Sequence, residues 1–140
     1  MTFRSLRRRA ALIPALLPML GGCNILSDGP PDQAQVIVDA TPQEPLLLIV
    51  STDFMLGTDS AGQPHSVIAN ADSTFISGPY DHTYTLSGSA GQILVHLQND
   101  GANTESVRMR ILFDGKPEYD KSRQLVTGDY LEYVYRSLSY

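Results

Sequence analysis

Hydrophobic and polar residues alternate along much of the chain after residue 32, and this pattern predicts β-strands. The clearest segment is residues 107–113, where Val107, Met109, Ile111 and Phe113 alternate with polar residues. Since successive side chains of a strand point to opposite faces, such a segment buries one face and exposes the other. Alternation is also found at residues 35–39, 83–86, 92–98 and 131–136, and residues 46–50 are continuously apolar.

Two of these segments depart from strict alternation. Leu94 interrupts the polar face of residues 92–98. The apolar run at residues 46–50 fits a strand buried on both faces, or a strand whose register the pattern does not fix. No segment keeps a helical period of 3.6 residues over three turns.

Turn-forming residues separate the predicted strands. Asp114-Gly115 predicts a two-residue hairpin turn, because both central positions of a type I′ turn need positive φ. Pro117 follows in the returning strand and lacks an N–H donor, which predicts an edge strand. About seven short strands with regular turns predict an all-β protein, a small antiparallel β-sandwich over residues 33–140. Further turn signals lie at residues 57–62, 77–79, 87–91, 99–101 and 127–129.

The first 22 residues have the layout of an export signal. Residues 1–9 are cationic, and residues 10–20 are apolar. An 11-residue run spans only about 16 Å as a helix, against about 30 Å for the bilayer core. It also contains Pro14 and Pro18, which break helices. The segment therefore predicts a signal peptide rather than a transmembrane helix, with the choice between general and twin-arginine export left open.

The sequence Leu20-Gly21-Gly22-Cys23 resembles a bacterial lipobox, with an apolar residue, two small residues and the acceptor cysteine. The resemblance implies that the Cys23 thiol takes a diacylglycerol, that cleavage precedes Cys23, and that the new amine is acylated. Two or three acyl chains exceed the threshold for stable membrane anchoring. We therefore expect a signal peptide at 1–22, a lipid-anchored tether at 23–32 and an exported protein held at the cell membrane or the outer membrane. In Gram-negative lipoproteins, Asp after the cysteine resembles an inner-membrane signal, so Asn24 favours the outer membrane.

Charge narrows the range of partners. The chain has 10 basic and 15 acidic residues. Four of the basic residues and none of the acidic ones precede Cys23, so 6 basic against 15 acidic residues, a net charge of −9, remain afterwards. Such a charge repels phosphate backbones and argues against nucleic acid as a partner. Cys23 is also the only cysteine, which excludes an intrachain disulfide.

Residues with metal or catalytic chemistry are scattered. Asp53, Asp59 and Asp100 lie in predicted loops and are weak calcium candidates, because Ca²⁺ needs six to eight oxygen ligands. Asp in a turn more commonly caps its own backbone. No Gly-x-Ser-x-Gly elbow is present, and the histidines have no cysteine partners. We therefore expect a protein without catalytic residues or a cofactor. The histidines are His65, His82 and His96.

Tyrosines are concentrated near the C-terminus. We expect Tyr133 and Tyr135 to fill the core beside Leu131, while the places of Tyr130 and Tyr140 stay open. The segment 129–133 loosely resembles the turn-into-strand region of the tyrosine corner in immunoglobulin-like domains, which implies an immunoglobulin-like sandwich. The expected function is a non-enzymatic interaction or structural module of the envelope that binds a protein partner. The alternatives are a ligand-binding domain, for polysaccharide or calcium, using loops at one end of the sandwich, and a hydrolase with a scattered site.

Overall fold

The chain folds into two antiparallel β-sheets of four strands each, in a computed structural model that describes residues 29–58, 60–86 and 91–137. The predicted all-β sandwich is confirmed, with eight strands instead of about seven. Within those ranges, no helix has the length and apolar character needed to cross a membrane. The strands are β1 (Gln33–Ala40), β2 (Leu46–Thr58), β3 (Pro64–Ile76), β4 (Tyr80–Thr85), β5 (Gln92–Gln98), β6 (Glu105–Phe113), β7 (Lys116–Leu125) and β8 (Tyr130–Arg136).

The strand order leaves four edges. The first sheet has the order β4-β1-β6-β7, and the second has the order β3-β2-β5-β8. The connections β2–β3 and β6–β7 are hairpins within one sheet, and the other connections pass between the sheets. β7 is an edge strand, as Pro117 predicts, and β6 lies inside its sheet.

The core lies between the two sheets and is built from the alternating positions. In β6, Met109 and Ile111 are fully buried, while Arg108 is exposed and Arg110 half-buried. Full burial of each such side chain stabilises the fold by about 1.5–3 kcal/mol. In β2 the apolar run resolves into inward-facing residues and half-buried outward ones, Leu47 and Ile49. The inward-facing residues of β1, β2 and β5 are Ala34, Val36, Val38, Ala40, Leu46, Leu48, Val50, Ile93, Val95 and Leu97.

The β6–β7 turn also holds the segment that leads into β1. Asp114 and Gly115 have positive φ angles of 48° and 78°, as the predicted hairpin turn requires. The Asp114 carboxylate accepts hydrogen bonds from the backbone N–H groups of Gln33 at 3.0 Å and Asp32 at 3.3 Å. Leu86 N–H donates to the Asp32 carbonyl at 2.8 Å. This end, the tether end, therefore fixes where the chain enters the sandwich.

A buried asparagine organises the opposite end. Asn99 is fully buried, and its side-chain amide donates to the carbonyls of Asn103 at 2.7 Å and Leu125 at 2.8 Å. Its side-chain oxygen accepts from Gly101 N–H at 3.0 Å. Each of these buried polar groups would cost about 1–3 kcal/mol if left unpaired. The asparagine therefore joins the β5–β6 loop to the end of β7.

Candidate functional site

The β2–β3 hairpin continues past the sheet as an arm, which we define as residues 51–58 and 64–70. Pairing of β2 with β3 shifts register between Val50 and Phe54, so the hairpin bends there. Ser51 is buried at the bend: its hydroxyl accepts from Asp53 N–H at 3.1 Å and donates to the Asn70 carbonyl. Gln92 of β5 donates to the Phe54 carbonyl at 3.0 Å. The base of the arm is thereby fixed to the second sheet.

The arm lies over the outer face of β5 and β8. Side chains from both parts line one cavity of about 360 Å³. Leu94 is only 1 % exposed, although its neighbours Ile93 and Val95 point into the core and Leu94 therefore points outward. The arm explains how an apolar side chain can be buried on an outer face. The lining residues are Ile49, His65, Ser66, Ile68, Leu94, His96, Tyr130 and Glu132.

A polar group occupies the β5–β8 side of this cavity. His96 Nδ1 lies 3.0 Å from a carboxylate oxygen of Glu132, and its Nε2 lies 3.2 Å from the side-chain oxygen of Gln98. The His96 ring stacks on Tyr130 with the ring centroids 4.8 Å apart. Both ring nitrogens are thus engaged with Glu132 and Gln98, and neither is oriented to activate Ser66 as a nucleophile. The cavity therefore has an aromatic side chain, Tyr130, at its rim and a hydrogen-bonded polar group on one wall.

The arm exposes apolar side chains to solvent. Met55 pairs with Val67 across the hairpin, and the two are 64 % and 44 % exposed. Phe54 is 2 % exposed and Ile68, its cross-strand partner, lines the cavity. Because adjacent residues of a strand face opposite sides, Met55 and Val67 form the surface of the arm that points away from the sheet.

This exposure is concentrated in one part of the molecule. Of the seven large hydrophobic residues that are exposed in the described ranges, four belong to the arm. Clustered exposed apolar residues mark interaction surfaces, whereas scattered ones are normal. The four residues are Met55, Leu56, Val67 and Ile68; the other three are Phe75, Val126 and Tyr130.

The C-terminal tyrosines divide between core and surface. Tyr133 and Tyr135 are partly buried against the core, as expected, and Phe113 lies with its ring centroid 4.6 Å from that of Tyr135. Burial raises the pKa of the Tyr133 hydroxyl well above its usual range, with a further contribution from Glu118. Tyr130 is half exposed at the cavity rim. Tyr140 lies outside the described residues.

Two of the three candidate calcium ligands, Asp53 and Asp100, do not converge. Asp53 lies at the bend of β2, near Gln92, whereas Asp100 follows the other end of β5. Seven residues of strand, or about 20 Å, separate these two positions, so they cannot share one ion. Asp59 lies outside the described residues, and within them no three His, Cys, Asp or Glu side chains are grouped in a way that could hold a metal.

Of the three histidines, two meet at the cavity. His65 comes from the arm and His96 from β5, and both line it. His82 is on β4 between Tyr80 and Tyr84, with its ring centroid 4.8 Å from that of Tyr84. Nothing in the sequence indicates that His65 and His96 line the same cavity, because the arm that carries His65 was not predicted. Cys23 lies outside the described residues.

A second cavity, of about 660 Å³, lies at the tether end. It is lined by residues 29–32 on one side and by Phe113, Asp114, Lys116 and Glu118 on the other. Gly91 is also close to this segment, since a Cβ atom there would approach the Pro30 side chain to 3.0 Å. The cavity therefore follows the path of the chain into β1.

Comparison of the chain with known protein families, curated proteins and solved structures found no match.

Proposed function

We propose that this chain is a lipid-anchored protein of the bacterial envelope that binds a protein partner through the β2–β3 arm. The observation that carries the proposal is the concentration of exposed apolar side chains on the arm, at Met55, Leu56, Val67 and Ile68. The lipobox-like sequence ending at Cys23 supports the anchor, and the outer membrane is the destination that Asn24 favours. The chain acts by binding: it is not an enzyme and uses no cofactor.

The anchor is tested by Cys23→Ser in the native host. Wild-type protein grown with a clickable fatty acid should take up label and sediment with membranes. The Cys23→Ser protein should take up none and should accumulate as the unprocessed form or in the soluble fraction. Undiminished labelling of the variant would refute lipid attachment at Cys23.

Partner binding is tested separately by placing a photo-crosslinking amino acid at single positions of the anchored protein in cells. Position 67 should give one discrete adduct, and position 126 should give none. The two positions are matched, because Val67 and Val126 are 44 % and 54 % exposed. Equal adducts at both positions would mean that the arm is not a specific docking surface.

A second function is favoured by the cavity beneath the arm. Its rim holds Tyr130 stacked on His96, and its volume of about 360 Å³ suits one or two sugar units. Aromatic rings and carboxylates are typical of sugar-binding clefts. Binding of envelope polysaccharide should then be lost in Tyr130→Ala and retained in Tyr119→Ala, which is measured by isothermal titration with purified polysaccharide.

A further inference from the structure

The base of the arm lies at the tether end of the sandwich. Gly91, directly before β5, contacts the segment that leads into β1, since a Cβ atom there would approach the Pro30 side chain to 3.0 Å. The next residue, Gln92, donates its side-chain amide to the Phe54 carbonyl at 3.0 Å. Met55, on the apolar solvent face of the arm, follows Phe54 directly. A short series of contacts therefore connects the tether to the exposed apolar surface of the arm.

The tether is fixed to the sandwich where it enters β1. The Asp114 carboxylate holds the N–H groups of Asp32 and Gln33, and Leu86 N–H holds the Asp32 carbonyl. Residues 23–28 are the part of the tether that precedes the described chain, and six residues span at most about 20 Å. Lipid on Cys23 would therefore keep the tether end, and the base of the arm with it, within about 20 Å of the bilayer surface.

The apolar surface of the arm is small. Its four exposed apolar side chains are 39–64 % exposed. Stable complexes between proteins in solution bury roughly 800 Å² on each partner, and four partly exposed side chains provide only part of such an area. Two proteins that share a membrane meet at a higher effective concentration, in the millimolar range when the tether is short. The surface therefore suits a partner in the same membrane better than a partner that arrives from solution.

Charge argues against the bilayer and against a second copy as the occupant. Surfaces that bind bilayers combine apolar residues with lysine and arginine, and residues 51–70 contain neither. From Cys23 onward the chain has 6 basic and 15 acidic residues, so it is repelled by anionic lipids and by further copies of itself. The occupant that remains is a different protein.

We propose that the arm docks on an integral protein of the membrane that carries the anchor, at an apolar site close to the bilayer surface. The proposal rests on the function proposed above and specifies the class of partner. Because the end of the tether and the base of the arm share one end of the sandwich, the length of the tether sets the height of the arm above the membrane.

The class of partner is tested on the adduct that a photo-crosslinking amino acid at position 67 forms in cells. A site for a specific protease is placed between Asp28 and Gly29, and isolated membranes are cut and then washed with alkaline carbonate. Domain that has not crosslinked should be released, which shows that cleavage is complete. The adduct should stay in the membrane, because an integral partner retains it after the anchor is cut. Mass spectrometry of the retained adduct should identify a chain with membrane-spanning segments.

Tether length provides a second test with a matched control. About forty glycine and serine residues inserted between Asp28 and Gly29 should lower the yield of the adduct at position 67 at least about fivefold, because effective concentration falls with roughly the −3/2 power of linker length. The same residues added after Tyr140 leave the tether unchanged and should leave the yield unaltered. Unchanged thermal unfolding and fatty-acid labelling of both variants exclude effects on folding and on anchoring.

The contrary outcomes are distinct. Release of the adduct by the protease, or an equal yield with the long tether, would overturn the proposal and keep the arm as a docking surface for a soluble protein. An adduct of two copies would assign the surface to self-association, and an adduct with lipid alone would assign it to the bilayer; either result overturns the proposal. Equal adducts at positions 67 and 126, or none at position 67, would overturn the docking function itself.

Discussion

Replacing Leu94 tests whether the arm packs on the outer face of the second sheet. Leu94 is 1 % exposed, and its burial on that face depends on the arm. Leu94→Ala removes the transfer free energy of a buried leucine and leaves a cavity, which together cost about 2–5 kcal/mol. Leu112 is the matched control, since it faces outward from the first sheet and is half-buried. Leu112→Ala should cost about 1 kcal/mol.

Urea denaturation of the full chain, with unchanged slope, measures both costs. A shortened variant in which Asn-Gly replaces residues 54–69, between the paired residues Asp53 and Asn70, then isolates the arm. In that background the cost of Leu94→Ala should fall to about 1 kcal/mol, the value expected for Leu112→Ala. If Leu94→Ala and Leu112→Ala destabilise the intact chain equally, or if shortening leaves the cost of Leu94→Ala unchanged, the arm does not cover this face.

Three further predictions concern the core, the buried asparagine and the tyrosines. Ile111→Ala should lower the free energy of unfolding by about 2–5 kcal/mol, and Arg110→Ala should lower it by less than about 1 kcal/mol. Equal denaturation midpoints for the two variants would mean that the register of β6 is shifted by one residue. Asn99→Ala should cost at least about 2 kcal/mol, measured by the same unfolding curves, because it unpairs buried backbone groups; a neutral effect would show that water replaces the amide. Burial raises the pKa values of Tyr84 and Tyr133 in the folded state. The stability that these two residues contribute is fully present below the unfolded pKa of about 10. It is lost as pH rises above that value, because the unfolded state then releases the tyrosine protons more readily than the folded state. Melting temperature should therefore fall above about pH 10, and less steeply in Tyr133→Phe; parallel curves would contradict this.

The strands that the sequence predicts are those in which one face is buried and the other is solvated. β6 is the clearest, because Val107, Met109, Ile111 and Phe113 all face the core between polar neighbours. β3 was not predicted. In β3, Val67 is followed directly by Ile68, and Phe75 directly by Ile76, and the shift of register near Asn70 interrupts the period of two. A bent hairpin thus hides the pattern on which the prediction depends.

Leu94 and Asn99 both stand out in the sequence, but only the three-dimensional structure shows what each side chain contacts. Leu94 breaks the polar face of β5, and the arm that covers it is the reason. Asn99 begins a turn signal, and the structure shows that it also bonds the end of β7 through Leu125. In both cases the partner is distant in sequence, so local periodicity carries no information about it. The cavity lined by His65 and His96 was unpredictable for the same reason.

The burial of Leu94 and the apolar solvent face formed by Met55 and Val67 both arise from the arm. A hairpin that lies on a sheet has one face toward the sheet and one toward solvent, and stability alone favours a polar solvent face. Here the solvent face carries Met55 and Val67. These side chains do not help the arm to cover Leu94, since polar residues on the solvent face would leave that contact unchanged. The apolar solvent face is therefore the feature that supports our proposal of the arm, rather than the tether end or the acidic loops, as the docking surface.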